Sequence, residues 1–373
     1  KLGLFENAYP DKSFLSKFAT PENTQANLDA ARETIVLLKN DKNILPIAKD
    51  KKVFVTGPTA DMLSVLNGGW TVTWQGNEES LMQSDKKTVV KAMISQVSSK
   101  SIIYNPGCSF DKMLDVDNAV KNAKESDVIV LCLGEAAYCE TPGNIGDLTL
   151  PKAQLDYAKM MIATGKPVVL VMLEGRPRII TEIADKVDGI IVAFLPGMQG
   201  GVAISDVLYG VTNPSGKLPI TYPKSPNAIT LYDYKPIEFF DGNGYNPLYP
   251  FGHGLSYTKF SYSDLKLSAD KITENEELKV SVTVKNTGNV KGKESVLLYL
   301  TDLFGTVSRP NKQLKGFDKI ELAPGESKTV HFTLGYEHLS FIGASNSRIV
   351  ELGEFVVTIG DLKSKFKLVF GGG

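Results

Sequence analysis

Short apolar runs alternate with helical patterns between residues 52 and 194. The runs, which predict buried strands, are Val53–Gly57, Ile102–Tyr104, Val128–Leu133, Val168–Leu173 and Gly189–Phe194. Apolar residues at helical spacing predict helices between them over Thr88–Val97, Asp115–Lys124 and Lys152–Ala163. Buried strands that alternate with helices are typical of a mostly parallel sheet with helices on both faces. We therefore predict an α/β fold, a mostly parallel α/β sandwich, for this region.

A further helix is predicted ahead of these strands. Thr20 followed by Pro21 is typical of a helix N-terminus, with a capping side chain before a proline at the first helical position. Apolar residues then recur at helical spacing, at Leu28, Ala31, Ile35 and Leu38. The predicted helix runs from about Thr20 to Lys39.

The apolar pattern changes to alternate residues in the last third of the chain. Alternation occurs over 278–284, 330–334 and 355–359, and turn-forming residues separate these stretches. Several short strands of this kind predict a β-sandwich of the immunoglobulin or fibronectin type. The expected division is a linker and lead-in helix over 1–50, the α/β sandwich over 51–222, an ordered connection over 223–262, and the β-sandwich over 263–373.

Length and charge restrict the possible functions. At 373 residues the chain is longer than a single hydrophobic core usually serves. Its 41 Lys and Arg against 42 Asp and Glu leave a formal net charge of -1. Nucleic acid and anionic membranes are therefore not expected partners. No apolar run approaches the roughly 20 residues that span a bilayer.

Neither a metal nor an organic cofactor is expected. The three cysteines are an odd number and do not form a disulfide scaffold, and the three histidines lack a zinc-binding arrangement. Gly210–Lys217 resembles a phosphate-binding loop, but five residues separate its glycines where four are required. A serine hydrolase is not indicated, because the sequence has no Gly-x-Ser-x-Gly turn.

Both tryptophans of the chain, Trp70 and Trp74, lie in one uncharged stretch, Gly68–Gly76, that glycines flank. We name residues 68–76 the tryptophan loop. An exposed indole in a glycine-rich loop suits stacking against the C–H face of a sugar ring. The alternative is that both rings fill the core or cap a hairpin.

A second unusual loop, Gly134–Asp147, follows the strand that ends at Leu133, and we name it the acidic loop. It carries three carboxylates, Glu135, Glu140 and Asp147. Because both loops follow parallel strands, they should lie at the same edge of the sheet, where α/β proteins bind ligands. Glu140, near the expected tip, or Glu135, at the strand end, could act as a general acid. The alternative is that Glu135 caps or pairs locally and that Glu140 is only solvated. Asp147 is expected to be structural.

Two other residues are weaker candidates. Arg176, after the strand that ends at Leu173, is expected either to pair with a local carboxylate or to guard the cleft. His253 has no Ser or Cys partner in view, so a packing or hydrogen-bonding role is the better hypothesis for it.

Several segments, taken in order, resemble family 3 glycoside hydrolases, the β-glucosidase and exo-β-glucanase group. They are Thr34–Asn40 with Leu45–Pro46, the tryptophan loop, the acidic loop, Gly175–Pro177, Asn213–Pro219 and Phe251–Thr258. The resemblance implies an enzyme with an N-terminal (β/α)8 barrel, an α/β sandwich and a fibronectin type III-like domain. Lys1–Tyr9 looks like the segment that leaves the barrel, so we expect the C-terminal portion of such an enzyme.

The resemblance also implies a division of catalytic roles. Family members are retaining enzymes whose aspartate nucleophile lies on the barrel, which would be the partner of this chain. The acid/base role carries over to Glu140, with Glu135 as the alternative that other branches suggest. Trp74, with Trp70, would hold the leaving-group sugar of a β-linked oligosaccharide.

The expected function is therefore the C-terminal part of a periplasmic or secreted β-glucosidase, nearly inactive alone. The alternatives are a β-xylosidase or a non-catalytic carbohydrate-binding or scaffolding module.

Overall fold

A six-stranded sheet forms the first part of the protein. The computed structural model describes residues 3–9, 11–228, 230–235 and 245–371. The strands are β1 (Val36–Asn40), β2 (Val53–Thr56), β3 (Ile102–Tyr104), β4 (Val128–Gly134), β5 (Val168–Leu173) and β6 (Gly189–Val192). Their order in the sheet is β1-β6-β5-β4-β2-β3. All neighbours are parallel except β1 and β6, which confirms the predicted mostly parallel α/β sandwich.

Helices cover both faces of this sheet. They are α1 (Pro21–Thr34), α2 (Ser64–Asn67), α3 (Val89–Gln96), α4 (Val116–Lys124), α5 (Lys152–Ala163), α6 (Thr181–Ala184) and α7 (Gly200–Leu208). One core lies between the sheet and α1, α3 and α7, and a second between the sheet and α4, α5 and α6. Within the described ranges, no helix has the length and apolar character that crossing a membrane requires.

The lead-in helix is shorter than expected. It begins as predicted, with the Thr20 hydroxyl accepting from the Asn23 N–H at 3.2 Å, but it ends at Thr34. The prediction that this helix continues to Lys39 was wrong, because three successive β-branched residues, 34–36, favour extended backbone. Residues 36–40 instead form β1, antiparallel to β6. The first sheet therefore begins inside the segment 1–50 that was assigned to the linker and helix.

The sequence also gave no prediction for α7. Its first two residues, Gly200 and Gly201, are poor helix formers, which obscured the helical pattern. The structure explains Gly201, because a Cβ there would lie 2.1 Å from the Lys87 carbonyl oxygen. The close approach brings α7 against the start of α3.

Two packed sheets form the second part of the protein. The strands are β7 (Phe260–Leu267), β8 (Lys271–Ile272), β9 (Leu278–Asn286), β10 (Gly292–Asp302), β11 (Gln313–Leu322), β12 (Ser327–Leu334), β13 (Phe341–Ile342), β14 (Arg348–Ile349), β15 (Gly353–Ile359) and β16 (Leu362–Leu368), with helix α8 (Tyr336–Leu339) after β12. The sheet β11-β10-β15-β16-β8 packs on the sheet β12-β9-β7, and β13 pairs with β14. The alternating residues of β9, β12 and β15 enter this core, as the pattern predicted.

The connection predicted over 223–262 is described only in part. Residues 229 and 236–244 of it lie outside the described residues, as do Lys1 and Leu2 of the lead-in segment. At its end the Leu255 N–H donates to the Leu37 carbonyl of β1 at 2.7 Å. The division of the chain at residues 50, 222 and 262 stays a prediction.

Glu33 joins α1 to the second part of the protein. Its carboxylate forms ion pairs with Lys293 of β10 and Lys319 of β11, and the Ser215 hydroxyl donates to it at 3.3 Å. Burial would raise the pKa of Glu33, but the hydrogen bonds and charges of the two lysines outweigh it and lower the pKa. One carboxylate thus holds two strands of the β-sandwich against the lead-in helix.

Replacing Glu33 by Gln should lower the urea midpoint of unfolding at pH 7. The free energy of unfolding should fall by less than about 1 kcal/mol, because the ion pairs are partly exposed. The lowered folded-state pKa stabilises the fold above the unfolded value, about 4.3, and the effect disappears as pH falls through the folded value. The difference between wild type and E33Q should therefore shrink from pH 7 to pH 3. Glu321→Gln, which removes a more exposed pair with Lys291, is the control. An E33Q deficit that persists undiminished at pH 3 would contradict this account.

Candidate functional site

The tryptophan loop follows β2 and the short helix α2. The Glu79 carboxylate closes its base by accepting from the Leu63 N–H at 2.7 Å and the Ser64 N–H at 2.9 Å. The backbone pinches together at its two end glycines, since a Cβ on Gly76 would lie 2.0 Å from the Gly68 carbonyl oxygen. Both glycines have positive φ, so larger residues would strain the loop as well as clash.

Both indoles of the loop are exposed. Trp70 is 68% and Trp74 49% exposed, so the alternative that they fill the core is wrong. The Trp70 N–H donates to the Trp74 carbonyl at 2.8 Å, which ties the two residues together across the turn. Val72 at the turn is also exposed. The loop thus presents an apolar surface to whatever approaches this edge of the sheet.

The acidic loop starts from a tightly held strand end. The Gln154 side chain of α5 accepts from the Gly134 N–H at 3.0 Å and donates to the Gly134 carbonyl at 2.9 Å. A Cβ at Gly134 would lie 1.8 Å from the Leu173 carbonyl oxygen, so only glycine fits at this end of β4. The strand end is therefore fixed before the loop leaves the sheet.

Glu135 is a buried anchor at the start of the loop. Its Oε1 accepts from Arg176 Nε at 2.9 Å and from Arg178 Nη1 at 3.0 Å, and its side chain is 9% exposed. The expected local pairing of Glu135 is thus present, and so is the expected pairing of Arg176 with a nearby carboxylate. Two guanidinium groups on one buried carboxylate hold the loop base to the residues that follow β5.

Arg176 also grips the outer part of the loop. Its guanidinium lies 4.0 Å from the centre of the Tyr138 ring, and its Nη1 donates to the Gly143 carbonyl at 2.7 Å. Gly143 lies against the same ring, where a Cβ would approach it to 2.3 Å. Burial, with the charge of Glu135, raises the pKa of the Tyr138 hydroxyl. The Tyr138 side chain is therefore uncharged and packs inside the loop, between Arg176 and Gly143.

Glu140 lies at the tip, between Tyr138 and Gly143. Its side chain is exposed. Its backbone has φ 53° and ψ -148°, and its carbonyl accepts from the Gly143 N–H at 2.9 Å in a single turn of 3-10 helix. Among the carboxylates of the acidic loop, Glu140 combines exposure with a backbone conformation that non-glycine residues rarely adopt.

The tryptophan loop and the acidic loop contact each other directly. A Cβ on Gly69 would lie 2.5 Å from Cys139 Cβ and 2.6 Å from the Tyr138 carbonyl oxygen. Gln75 accepts from the Cys139 N–H at 3.1 Å, and the Cys139 thiol donates to the Trp74 carbonyl at 2.9 Å. The two loops follow β2 and β4, which are neighbours in the sheet, so they meet at one edge as the strand order requires.

A layer of buried polar side chains lies beneath this site. Glu174, at the end of β5, is fully buried and accepts from the Arg178 N–H at 3.1 Å. Burial raises its pKa to about 8, despite hydrogen bonds from Tyr222 and Arg178 that oppose the rise. The Tyr222 hydroxyl is within hydrogen-bonding distance of the Glu174 carboxyl, to which it donates at 2.9 Å, and of the Arg178 carbonyl, at 2.8 Å. The arginine that anchors Glu135 thus has its own backbone fixed.

The remaining candidates have structural contacts. The Asp147 carboxylate accepts from the Thr149 N–H at 2.5 Å, which fits the expected structural role. His253 Nε2 lies 2.9 Å from the Leu38 carbonyl, and its ring stacks on Tyr249, so it packs and hydrogen-bonds as expected. Within the described part of the chain, no cluster of three His, Cys, Asp or Glu side chains could hold a metal ion.

Sequence reasoning missed several residues of this site. Gln75 and Cys139 join the two loops, and Arg178 pairs with Glu135, yet none of them was a candidate. The signal for Arg178 was present in Gly175-Arg-Pro-Arg178 directly after a buried strand beside β4. No local pattern pointed to Gln75, because its partner lies 64 residues away along the chain.

Comparison with known proteins agrees with both parts of the fold. Residues 35–257 match the glycosyl hydrolase family 3 C-terminal domain, and residues 294–363 match a fibronectin type III-like domain. The match to the β-sandwich confirms its expected fibronectin type. The matched ranges contain the tryptophan loop, the acidic loop and Arg176.

Several relatives are β-glucosidases. A lysosomal β-glucosidase of Dictyostelium discoideum is 37% identical over 96% of this chain and 46% of its own length. A periplasmic β-glucosidase of Salmonella typhimurium is 34% identical over 96% of this chain and 52% of its own length. Relatives from Formosa agariphila are named as β-xylosidases. The chain thus spans about half the length of the curated relatives it matches.

A solved structure shows the same architecture. The β-glucosidase of Listeria innocua in complex with gluconolactone matches with a TM-score of 0.89 and 31% identity, over 100% of this chain and 53% of that one. The family match covers more than half of the chain and includes both loops at the edge of the first sheet. The chain therefore belongs to glycosyl hydrolase family 3, of which it carries the C-terminal domain and the fibronectin type III-like domain.

Proposed function

We propose that this chain supplies the acid/base carboxyl and a sugar-stacking surface to a retaining β-glucosidase. The observation that carries the proposal is the contact between the two loops. Cys139, the residue before Glu140, donates a hydrogen bond from its thiol to the Trp74 carbonyl. A carboxyl that protonates a glycosidic oxygen must lie beside the leaving sugar, and an exposed indole suits the apolar face of that sugar. Membership of the family, with β-glucosidases among the relatives, supports this choice.

The proposed reaction needs two carboxyl groups about 5–5.5 Å apart. The Glu140 acid donates its proton to the glycosidic oxygen as the bond to the anomeric carbon breaks, and an aspartate carboxylate bonds to that carbon. Glu140, now a carboxylate, removes a proton from water, whose oxygen attacks the anomeric carbon and releases the sugar and the aspartate. The family resemblance assigns that aspartate to a (β/α)8 barrel, which the described residues of this chain do not form.

Glu140 fits the acid/base role better than Glu135. The Glu135 side chain is buried, and one of its oxygens already accepts from two arginines. A proton donor must reach the glycosidic oxygen, and the exposed Glu140 can do so without disrupting an ion pair. We therefore assign Glu135 to the support of the loop.

The proposed substrate is a terminal, non-reducing β-D-glucosyl residue of an oligosaccharide. A β-xyloside is the alternative, because some relatives are named as β-xylosidases. A periplasmic or secreted location is proposed from the periplasmic relative. No cofactor is needed for the proposed chemistry, since both steps use carboxyl groups and water.

The chain by itself should be nearly inactive. Purified and free of any barrel polypeptide, it should not release aryl alcohol from an aryl β-glucoside, because one carboxyl group cannot perform the covalent step. Addition of a separately made family 3 barrel should restore hydrolysis. Turnover by the chain alone would refute the proposal, and glycan binding without any restored hydrolysis would favour a non-catalytic module.

The roles of Glu140 and Glu135 can be separated in the barrel-containing enzyme. Glu140→Gln should lower kcat/KM for cellobiose by roughly 10²- to 10⁴-fold, with a much smaller loss for a 2,4-dinitrophenyl glucoside whose leaving group needs no proton. Glu135→Gln should instead lower the unfolding midpoint, because it weakens a buried ion-pair cluster. The assignment fails if the leaving-group-dependent loss follows Glu135→Gln.

The stacking surface can be tested at Trp74. Trp74→Ala should raise KM for a glucan oligosaccharide roughly three- to tenfold, with a smaller change in kcat. The increase corresponds to the loss of about 0.5–1.5 kcal/mol of binding free energy from the aromatic contact. Phe304→Ala, at an aromatic residue that is 74% exposed on the β-sandwich, is the control and should leave KM unchanged. Equal KM values for W74A and wild type would exclude Trp74 from the sugar site.

A further inference from the structure

The backbone at Glu140 adopts a conformation that it would not hold unaided. Its φ of 53° with ψ of -148° lies outside the regions that side-chain-bearing residues normally occupy. Such a strained conformation persists only where the surroundings hold it. The neighbours of Glu140 on both sides are held by side chains from other loops.

Arg176 holds the residues on the two sides of the tip together. Its guanidinium stacks on the Tyr138 ring at 4.0 Å and donates to the Gly143 carbonyl at 2.7 Å, while its Nε is fixed by Glu135 at 2.9 Å. A planar group with several donors can make these three contacts at once, whereas an ammonium cannot. Residues 138 and 143 are therefore kept at one spacing, with Glu140 between them.

Gln75 holds the residue immediately before Glu140. Its Oε1 accepts from the Cys139 N–H at 3.1 Å, and its Nε2 donates to Cys139 Sγ at 3.4 Å. The Cys139 thiol in turn donates to the Trp74 carbonyl at 2.9 Å. Because both hydrogen-bonding groups of the Gln75 amide are used on Cys139, the peptide that leads into Glu140 is oriented by the tryptophan loop.

We propose that Arg176 and Gln75 are positioning residues that hold the Glu140 carboxyl in its strained turn beside the tryptophan loop. This inference rests on the proposed acid/base role of Glu140. Neither side chain needs to touch the sugar, because each acts through the backbone on one side of Glu140. We call the side chains of Arg176 and Gln75 the two clamps. Loss of either clamp lets residues 138–143 relax to an ordinary backbone conformation and moves the proton donor away from the leaving sugar.

A purely structural role for these residues makes a different prediction. If Arg176 served only to neutralise Glu135, its removal would weaken the fold without changing the geometry of the tip, and all substrates would be affected alike. Arg32 provides the matched control, since it is also partly buried, with 25% exposure against 24% for Arg176, and also pairs with a buried carboxylate, Asp206. It lies far along the chain from the acidic loop.

Cys139 provides a reporter that does not depend on catalysis. The other two thiols, Cys108 and Cys132, are fully buried, and burial raises the pKa of each to about 12. Labelling of the native 373-residue chain with iodoacetamide should therefore report Cys139. The labelling rate should rise roughly two- to tenfold in Gln75→Ala, which removes the hydrogen bonds to Cys139, and in Arg176→Ala, which releases the loop that carries Cys139, and stay at the wild-type value in Arg32→Ala. Urea midpoints measured alongside establish that each variant is folded.

Unchanged Cys139 labelling in folded Gln75→Ala and Arg176→Ala would overturn the inference. So would an equal rise in Arg32→Ala, which would attribute the effect to general loosening. Should Arg176→Ala fail to fold, Gln75→Ala carries the test alone, because Gln75 pairs with no buried charge.

Kinetics of the barrel-containing enzyme complete the test. Gln75→Ala and Arg176→Ala should lower kcat/KM for cellobiose at least about fivefold more than for a 2,4-dinitrophenyl glucoside, in the same direction as Glu140→Gln. Equal losses on both substrates would overturn the positioning role. If Glu140→Gln itself shows no leaving-group dependence, the acid/base assignment fails, and the labelling result still decides whether the clamps hold the tip.

Discussion

The site depends on the close approach of two backbones, at Gly69 in the tryptophan loop and at Tyr138 and Cys139 in the acidic loop. A single methyl group on Gly69 would overlap both Cys139 Cβ and the Tyr138 carbonyl oxygen. Because β2 and β4 are neighbours, their following loops emerge side by side, and the missing side chain lets them touch. The hydrogen bonds from Gln75 and from the Cys139 thiol can form only at this separation.

The distribution of charge explains why the two glutamates of the acidic loop differ. Glu135 is taken out of water at the strand end, where a carboxylate requires partners, and Arg176 and Arg178 provide them. Glu174 lies nearby, and burial raises its pKa to about 8, which favours its neutral form and limits repulsion from Glu135. The buried charges therefore stabilise the base of the loop, while Glu140 at its tip stays exposed.

The sequence predicted the elements more completely than the contacts between them. Apolar runs such as 168–173 identified strands to the residue, because a strand buried on both faces needs a continuous apolar sequence. The end of α1 was missed because Ile35 and Leu38 fit a helical spacing, although Ile35 precedes and Leu38 lies within β1. Tertiary pairing with β6 decided in favour of the strand.

The same contrast holds for the site. Trp70, Trp74 and Glu140 could be proposed as site residues from the sequence because tryptophans and carboxylates in glycine-rich loops are unusual locally. Gln75 was not, because an amide is informative only through a partner, and that partner is distant in the sequence. The sequence left both roles open for Glu135, and the two arginines on one of its oxygens, which favour a supporting role, became visible only in the structure.

The central claim is that Glu140 and Trp74 form one side of a single sugar-cleaving site. A crystal structure of the barrel-containing enzyme with a non-hydrolysable β-linked disaccharide analogue tests it most directly. The account predicts the Glu140 carboxyl within hydrogen-bonding distance, about 3 Å, of the atom that joins the two sugars, with the Trp74 indole facing the leaving-group sugar. An analogue bound with a different carboxyl group at that atom, or away from the tryptophan loop, would contradict it.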